Sequence, residues 1–300
     1  MRRPRQPINL NTSIMKLQDY DITQRYEATV VSSERITPEG HEEEVRNIIL
    51  DVEAPSFEVS AGQSIGVLAP GQEEMGQEHH FRLYSVADLP EGTPSGHVRL
   101  TICVKRCTYI DDYSGERYDG VASNYLCDLQ GGDTLTITGP YGLAFPVPDD
   151  KEATLVLIGA GTGIAPFRAF LKHLYQSVPD YAGRVILFHG ARTGLDLLYR
   201  NDERDDFTLY YDKDTFEAVA VLGKRPHWSD DLDWKGALAP RAKDIWKMLG
   251  DEHTRVYLAG LKEIRDELDA VFAGVAGSAE EWSARKDALA AEGRWTELLY

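Results

Sequence analysis

The amino-acid sequence predicts an antiparallel β-barrel domain followed by an α/β domain built on a parallel sheet. Short apolar or alternating runs, separated by Gly, Pro and Asp, fill the chain from about residue 26 to residue 140, as in antiparallel barrels and sandwiches. From about residue 153, single apolar strands alternate with helices, which is the pattern of a parallel sheet. The Pro- and Asp-rich stretch 145–151 (FPVPDDK) separates the two patterns.

We therefore expect a flexible leader over residues 1–25, a barrel domain over residues 26–148 and an α/β domain over residues 149–300. The predicted strands of the barrel span residues 26–32, 45–52, 64–68, 97–104 and 134–138, with one helix near residues 123–129. The predicted strands of the second domain span residues 155–158, 185–189, 218–222 and 256–259, and its helices span residues 166–176, 242–249 and 263–272. Ser278 and Glu281 resemble a capping box that starts a last helix, which Gly293 would end.

The composition excludes several classes of protein. A formal net charge of −17 over 300 residues argues against nucleic acid as a partner and against an anionic membrane surface, since both require clustered Lys and Arg. No apolar run reaches the length of a membrane span, so we expect no membrane insertion. Cys103, Cys107 and Cys127 are too few and too scattered for an iron–sulfur site, a zinc site or a disulfide framework. A reducing compartment, the cytoplasm, is therefore expected.

Residues 155–168 (LVLIGAGTGIAPFR) indicate a strand, a glycine turn and the start of a helix. Gly159, Gly161 and Gly163 let the backbone approach a diphosphate, and Pro166 fits the first turn of a helix. A helix N-terminus favours an anion. The Walker lysine and the GxGxxG spacing are both missing. A tight strand–helix turn without a ligand is the alternative.

Two other segments have the chemistry of a cofactor site. Residues 82–87 (RLYSVA) lie in a predicted strand, so Arg82 and Tyr84 share one face and Ser85 takes the other. Arg can hold a diphosphate, Tyr can stack on a ring, and Ser can hydrogen-bond a heteroaromatic nitrogen; a solvated strand edge is the alternative. Residues 120–129 (GVASNYLCDL) predict a glycine turn into a helix with Ser123 near its cap, which is either a second anion site or a simple helix start.

In order and spacing, these segments resemble the plant-type ferredoxin–NADP reductases from about residue 26 to residue 300. The matching stretches are GQSIGV (62–67), RLYSVA (82–87), CVKR (103–106), GVASNYLCDL (120–129), GPYG (139–142), GAGTGIAPFR (159–168), YLAGLK (257–262) and the terminal Tyr300. The resemblance implies an antiparallel FAD-binding barrel followed by an α/β parallel-sheet nucleotide-binding domain. It implies hydride transfer between nicotinamide C4 and flavin N5, with FAD joining a two-electron donor to a one-electron carrier.

The resemblance also implies roles for individual residues. It assigns FAD binding to Arg82, Tyr84, Ser85 (near N5), Cys103, Val104, Lys105, Tyr109 (against adenine), Gly120, Val121, Ala122 and Ser123 (around the diphosphate). It assigns the nicotinamide nucleotide to Gly161, Thr162, Gly260 and Leu261. Tyr300 would cover the flavin face on which the nicotinamide stacks, so Ser85 and Tyr300 are the expected catalytic residues.

Three departures from the family leave questions open. The cysteine expected near the nicotinamide is Ala259, and the glutamate expected two residues before the terminal Tyr is Leu298, with Glu297 as the nearest carboxylate. The Ser-Arg pair of the 2′-phosphate pocket is not in register, so Lys224 and Arg225 are either its replacement or exposed loop charges. The resemblance favours NADP(H), and NAD(H) stays possible.

The expected partner is ferredoxin or a similar one-electron carrier, or a larger redox complex. Because ferredoxins are acidic and so is this chain, docking requires a local basic patch, for which Lys105 and Arg106 are candidates. We keep two alternative functions: an NAD(P)H-dependent reductase component that feeds an oxygenase or multi-subunit complex, and a nucleotide-binding subunit with impaired hydride transfer.

Overall fold

The computed structural model describes residues 17–71, 76–111, 113–146, 148, 150–210, 214–224 and 231–299. Its first domain contains β1 (Arg25–Arg35), β2 (Val45–Val52), β3 (Ser64–Pro70), β4 (His79–Ser85), β5 (Glu91–Gly92), β6 (Val98–Lys105), β7 (Thr108–Ile110), β8 (Arg117–Asp119), α1 (Val121–Asp128) and β9 (Thr134–Tyr141). Seven strands form one antiparallel sheet in the order β4-β3-β9-β1-β2-β6-β5. The barrel prediction is confirmed.

The sheet curls because the chain after β4 returns to β6. Val86 forms an antiparallel bridge with Ile102, and the Ala87 N–H donates to the Thr101 carbonyl at 2.8 Å. These contacts close six strands around an apolar interior, and β5 lies outside on β6. The interior is filled by side chains such as Ile48, Leu50, Ile65, Val67, Leu100, Ile102 and Ile137, with Leu126 of α1 packed against them.

The second domain alternates strands and helices along the chain. It contains β10 (Thr154–Ala160), α2 (Ala165–Ser177), β11 (Val185–Ala191), β12 (Phe216–Leu222), α3 (Trp234–Leu238), α4 (Ala242–Met248), β13 (Thr254–Gly260), α5 (Lys262–Ala276), α6 (Ala279–Ala291) and β14 (Trp295–Leu299). Five parallel strands lie in the order β12-β11-β10-β13-β14. The strand order reverses between β10 and β13, which is where open α/β sheets form a ligand crevice.

The apolar strands of this sheet are buried on both faces. Along β10, Leu155 and Leu157 pack into the cluster on the α2 side, whereas Val156 and Ile158 pack into the cluster that includes α5 and α6 residues. Strand alternation produces this division, and cover on both faces explains why such strands are continuously apolar.

Several elements were not predicted from the sequence, among them β5, β7, β8, α3 and β14. β14 continues the sheet beside β13, and α3 begins at an Asp233 cap whose side chain accepts from the Gly236 N–H at 2.9 Å. The last helix behaves as predicted: Ser278 Oγ accepts from the Glu281 N–H at 3.1 Å, and Gly293 after α6 has a φ of 69°.

The described part of the predicted leader contacts the barrel. Tyr20 packs edge-on against Tyr141 with ring centroids 5.1 Å apart, and the Tyr141 hydroxyl donates to the Asp21 carbonyl at 2.6 Å. Residues 1–16 lie outside the described residues.

The two domains share one apolar cluster. Ala87, Cys103 and Phe145 of the first domain pack with residues of α2 and the second sheet, and the Phe145 and Phe167 rings are stacked with centroids 5.7 Å apart. Tyr199 donates a buried hydrogen bond to Asn47 Oδ1 at 3.0 Å across the same interface. Among the residues that the structure describes, none of the helices has the length and apolar character needed to cross a bilayer.

Candidate active site

The end of β4 presents Arg82 and Tyr84 on the same side. Arg82 is exposed, and its Nη1 donates to the Phe81 carbonyl at 2.8 Å. Tyr84 packs against the barrel core, where burial raises the pKa of its phenol while the nearby Arg82 charge lowers it. The thiols of Cys107 and Cys127 also lie close to the Tyr84 phenol, so this side of β4 faces α1. Ser85 takes the other side, with Oγ 3.4 Å from Ser64 Oγ.

The N-terminus of α1 forms a compact turn beside this strand end. Gly120 is its extended N-cap residue, and a Cβ there would lie 3.0 Å from Ser123 Oγ and 3.1 Å from the Cys107 carbonyl. Ser123 Oγ accepts from the Cys107 N–H at 3.1 Å and donates to the Gly120 carbonyl at 3.3 Å. The hydroxyl is therefore used within the turn. The first backbone N–H groups of the helix, including those of Val121 and Ala122, lack intrahelical acceptors and are available to an anion.

The three β6 residues predicted at the cofactor face different environments. Cys103 is buried at the domain interface, where burial raises the pKa of its thiol to about 11 and a hydrogen bond with Tyr199 opposes that rise. Val104 points into the barrel core, so it can meet a cofactor only through its backbone. Lys105 is half-buried, and its Nζ lies 2.5 Å from Glu43 Oε1.

A short hairpin beside α1 presents a pair of aromatic rings. Tyr109 on β7 lies opposite Tyr118 on β8, and their rings are stacked 5.6 Å apart at 24°. Tyr109 is 58% exposed, so the outer face of the pair is available to a planar ligand. Only Tyr109 was predicted at this site from the sequence. Tyr118 lies at the facing position of the returning strand, and this position could have identified it as the second ring.

The predicted nucleotide residues meet at the crevice between β10 and β13. The chain leaves β10 through a 3₁₀ turn, Gly161–Ile164, into α2. Gly161 has a φ of +54° and Gly260, at the end of β13, has a φ of +136°, so both positions favour glycine. Leu261 follows and is 56% exposed. The fold thus brings four of the predicted residues together at the point where the strand order reverses: Gly161, Thr162, Gly260 and Leu261.

Two family models match the chain, one for each domain. Residues 28–145 match the oxidoreductase FAD-binding domain, and residues 157–268 match the oxidoreductase NAD-binding domain.

Named relatives match nearly the whole chain. The ferredoxin–NADP reductase of Thermosynechococcus vestitus is 36% identical over 278 residues, which cover 90% of this chain and 72% of the relative. The chain belongs to the ferredoxin–NADP reductase family. The cyanelle member from Cyanophora paradoxa is 33% identical, with 92% and 76% of the two chains covered. Leaf isozyme 1 of Arabidopsis thaliana is 34% identical, with 80% and 67% covered.

Solved members of the family have the same fold. The ferredoxin–NADP⁺ reductase of Plasmodium falciparum, solved with 2′P-AMP, gives a TM-score of 0.70 over 94% of this chain and 98% of that chain, at 18% identity. The protein is therefore an oxidoreductase with an FAD-binding barrel and a nucleotide-binding α/β domain.

The residues present fit FAD. The exposed Arg82 guanidinium and the α1 N-terminus, on the side of the barrel that β4 turns toward α1, supply a cation and backbone N–H groups for a diphosphate. A Cβ at Gly120 would crowd Ser123 and the Cys107 carbonyl, and the exposed Tyr109–Tyr118 pair is a stacking surface that would suit a planar ring such as adenine.

Tyr109→Ala is expected to weaken FAD binding about tenfold, since stacking a base on an aromatic side chain contributes roughly 1–3 kcal/mol. The FAD dissociation constant, measured by the recovery of flavin fluorescence on release, checks this. Tyr113→Ala is the matched control, because Tyr113 belongs to the turn of the same hairpin and its side chain is fully exposed (101%). Equal FAD affinity in the two variants would contradict the assignment.

Two departures from the family are neighbours in the sheet. Ala259 on β13 is in register with Leu298 on β14, and both pack into the cluster shared by the two domains. Glu297 faces the other side, where Oε1 accepts from Trp295 Nε1 at 2.7 Å and lies 3.1 Å from Lys286 Nζ. Glu297 therefore does not replace the family glutamate, and the Ala259–Leu298 pair is apolar. Tyr300 lies outside the described residues.

Arg168 joins the start of α2 to the segment that follows β4. Its Nη1 donates to the Ala87 carbonyl at 2.7 Å and lies 2.9 Å from Asp88 Oδ2, and its Nε binds Asp206. Burial alone would raise the pKa of the Asp88 carboxyl, but Arg168 and Lys172 hold it below its usual value. Arg168 belongs to the glycine motif, but no role was predicted for it from the sequence. A charged residue at the otherwise apolar start of a helix could have indicated a buried ion pair.

The cations suggested for docking a carrier are engaged within the protein. Lys105 pairs with Glu43, and Arg106 lies 2.8 Å from both Glu44 Oε2 and Asp128 Oδ1. Both charges are therefore largely neutralised, and the structure does not support the free basic patch expected at these two residues.

Of the two residues suggested for a 2′-phosphate, the structure describes one. Lys224 is exposed after β12, and its N–H donates to the Asp231 carbonyl at 3.1 Å. Arg225 lies outside the described residues.

Proposed function

We propose that this chain takes hydride from NADPH onto bound FAD and passes electrons one at a time to ferredoxin or a similar carrier. The observation that carries the proposal is the contact between Arg168 and Ala87. It joins α2, which follows the glycine turn after β10, to a residue two positions beyond the end of β4. Relatives named ferredoxin–NADP reductase support the choice of partners.

FAD supplies the hydride acceptor at N5 and the ability to release single electrons. The chain's own residues bind and orient. We assign the FAD diphosphate to Arg82 and the backbone of residues 120–123, which lie on the side of the barrel where β4 faces α1. We assign the nucleotide to Gly161, Thr162, Gly260 and Leu261 at the crevice, which is the usual ligand position in such sheets.

At the reacting centre, the described residues supply position and exclude water. Ser85 Oγ is half-buried at the end of β4, within 3.4 Å of Ser64 Oγ, and can donate to a flavin nitrogen. Leu298 is partly buried beside the buried Ala259 and offers an apolar surface, which favours stacked rings over water. We retain Tyr300 as the residue that covers the flavin face until the nicotinamide stacks.

Anaerobic reduction followed by carrier coupling tests this function. We expect a yellow protein whose flavin absorbance is bleached by NADPH, and to a lesser extent by NADH. The reduced protein should support ferredoxin-dependent reduction of cytochrome c. A colourless protein that does not take up FAD would overturn the proposal.

Two observations favour other functions of the same site. The pairing of Lys105 and Arg106 with carboxylates and the net charge of −17 favour a reductase component that docks in a larger redox complex. Such a protein would reduce an artificial acceptor rapidly but couple poorly to ferredoxin. The apolar Ala259–Leu298 pair favours a nucleotide-binding subunit with impaired hydride transfer, which slow flavin reduction in a stopped-flow experiment would reveal.

We propose the cytoplasm as the compartment. Cys103, Cys107 and Cys127 are all free thiols, which suits a reducing environment. One named relative is a chloroplastic isozyme.

A further inference from the structure

An arginine outside the predicted nucleotide residues lies at the same edge of the sheet. Arg192 is the first residue after β11 (Val185–Ala191), beside the strand that ends at the Gly161 turn. Its carbonyl accepts from the Gly223 N–H at 3.0 Å. Arg192 therefore lies opposite Gly223, the first residue after β12, and Lys224 is the next residue along the chain. These residues lie at the carboxyl edge of the strands, where α/β sheets bind ligands.

The Arg192 side chain binds a carboxylate from the other domain. Its Nη2 lies 2.6 Å from Glu42 Oε2. The Arg192 side chain is 28% exposed and that of Glu42 is 71% exposed, so solvent and solutes reach the carboxylate. The hydrogen bond and charge of Arg192, with smaller contributions from His41 and Arg117, hold the pKa of Glu42 below its usual value. Glu42 is thus ionised at neutral pH.

The segment that precedes Glu42 contacts the second domain at two points. The Ile36 carbonyl accepts from Asn201 Nδ2 at 3.0 Å, and His41 Nε2 lies 3.4 Å from Asp196 Oδ1. The carboxylate is therefore held over the end of β11 by the contact between the domains.

The guanidinium fork binds carboxylate and phosphate in the same way. A phosphomonoester has more charge than a carboxylate, about −1.5 to −2 at neutral pH. It can therefore displace Glu42 from Arg192. The displaced carboxylate stays tethered nearby and repels the incoming phosphate.

We propose that Arg192 binds the 2′-phosphate of the nicotinamide nucleotide and that Glu42 competes with it, so that this pair sets the preference between phosphorylated and unphosphorylated nucleotide. The inference rests on the proposed function, because it deepens the same nucleotide site. If the nicotinamide lies on the β13 side, as the proposed function assigns it, the adenosine end would extend over β11 and β12, which continue the sheet in that direction. An unphosphorylated ribose would leave the Glu42–Arg192 pair intact.

Steady-state reduction of an artificial acceptor tests the inference. We expect the ratio of kcat/KM for NADPH to that for NADH to fall about tenfold or more in Arg192→Gln, which loses a charge-assisted fork. In Glu42→Gln the ratio should rise about threefold, because the competing charge is gone. Glu34→Gln is the matched control, since Glu34 makes the same kind of exposed pair between the domains, 2.8 Å from Arg204, and should leave the ratio unchanged.

Calorimetric binding of 2′P-AMP and AMP gives a second readout that needs neither flavin reduction nor a carrier. Arg192→Gln should weaken 2′P-AMP and spare AMP, and Glu42→Gln should tighten 2′P-AMP alone. An unchanged preference in Arg192→Gln would overturn the inference, as would an equal shift in Glu34→Gln. If neither nucleotide reduces the flavin, the proposed function fails, and the 2′P-AMP measurement still decides the role of the pair.

Discussion

Gly163→Ala is expected to lower the free energy of unfolding by about 2 kcal/mol, the usual size of an overpacking penalty. A Cβ at this position would lie 2.6 Å from the Ala259 carbonyl oxygen and 2.8 Å from Gly260 Cα. These are backbone atoms of β13, which is paired with β10 on one side and β14 on the other. The strand cannot yield without disturbing the sheet. The two walls of the crevice would separate, and nucleotide binding should weaken about tenfold or more.

Urea unfolding and nucleotide titration measure both effects of Gly163→Ala. Gly274→Ala is the control, because Gly274 lies in α5 and its Cβ would meet nothing within 4 Å. That variant should gain up to about 1 kcal/mol from helix propensity and leave nucleotide binding unchanged. If the two variants behave alike, the close approach of the turn to β13 does not shape the crevice.

Arg168→Ala is expected to destabilise the protein by about 3 kcal/mol, the lower end of the cost of breaking a buried ion pair by removing one partner. Lys172 still binds Asp88 and Arg204 still binds Asp206, which limits the loss. The Ala87 carbonyl would lose its buried donor. Since Ala87 lies two residues after Ser85, the end of the flavin strand would shift relative to the nucleotide turn, and flavin reduction should slow.

Urea unfolding and stopped-flow flavin reduction by NADPH test the role of Arg168. Arg241→Ala is the control: its Nη2 lies 2.6 Å from Glu217 Oε1, but the pair is more than a third exposed on the cation side (39%) and lies within one domain. Its loss should cost less than about 1 kcal/mol and leave reduction unaffected. Equal effects of the two substitutions on stability and on flavin reduction would contradict the positioning role of Arg168.

Local patterns were sufficient to predict most of the fold. The alternation in β2 and the apolar run of β10 are short-range features, and the predicted strand over residues 45–52 matches Val45–Val52. The glycine turn was also predictable, because the need for φ > 0 at Gly161 is local. These features follow from the residues themselves.

The features of the fold and the site that could not be predicted depend on residues that are far apart in the sequence. β14 is a strand because β13 offers an edge to pair with, and the same alternation that turns Leu298 to the shared cluster turns Glu297 to Lys286. Arg168 with Ala87 and Arg192 with Glu42 join residues 81 and 150 positions apart. Such pairs have no periodicity along the chain, so neither could be predicted from one sequence.

The cluster shared by the barrel and the α/β domain has a thermodynamic consequence. Separating the domains would expose Phe145, Phe167 and Phe170 to water and strip the buried Tyr199 hydroxyl of its acceptor on Asn47. Each half would then expose its part of this shared cluster to water. Heat or denaturant should therefore melt both halves together, in one cooperative transition, instead of releasing them one after the other.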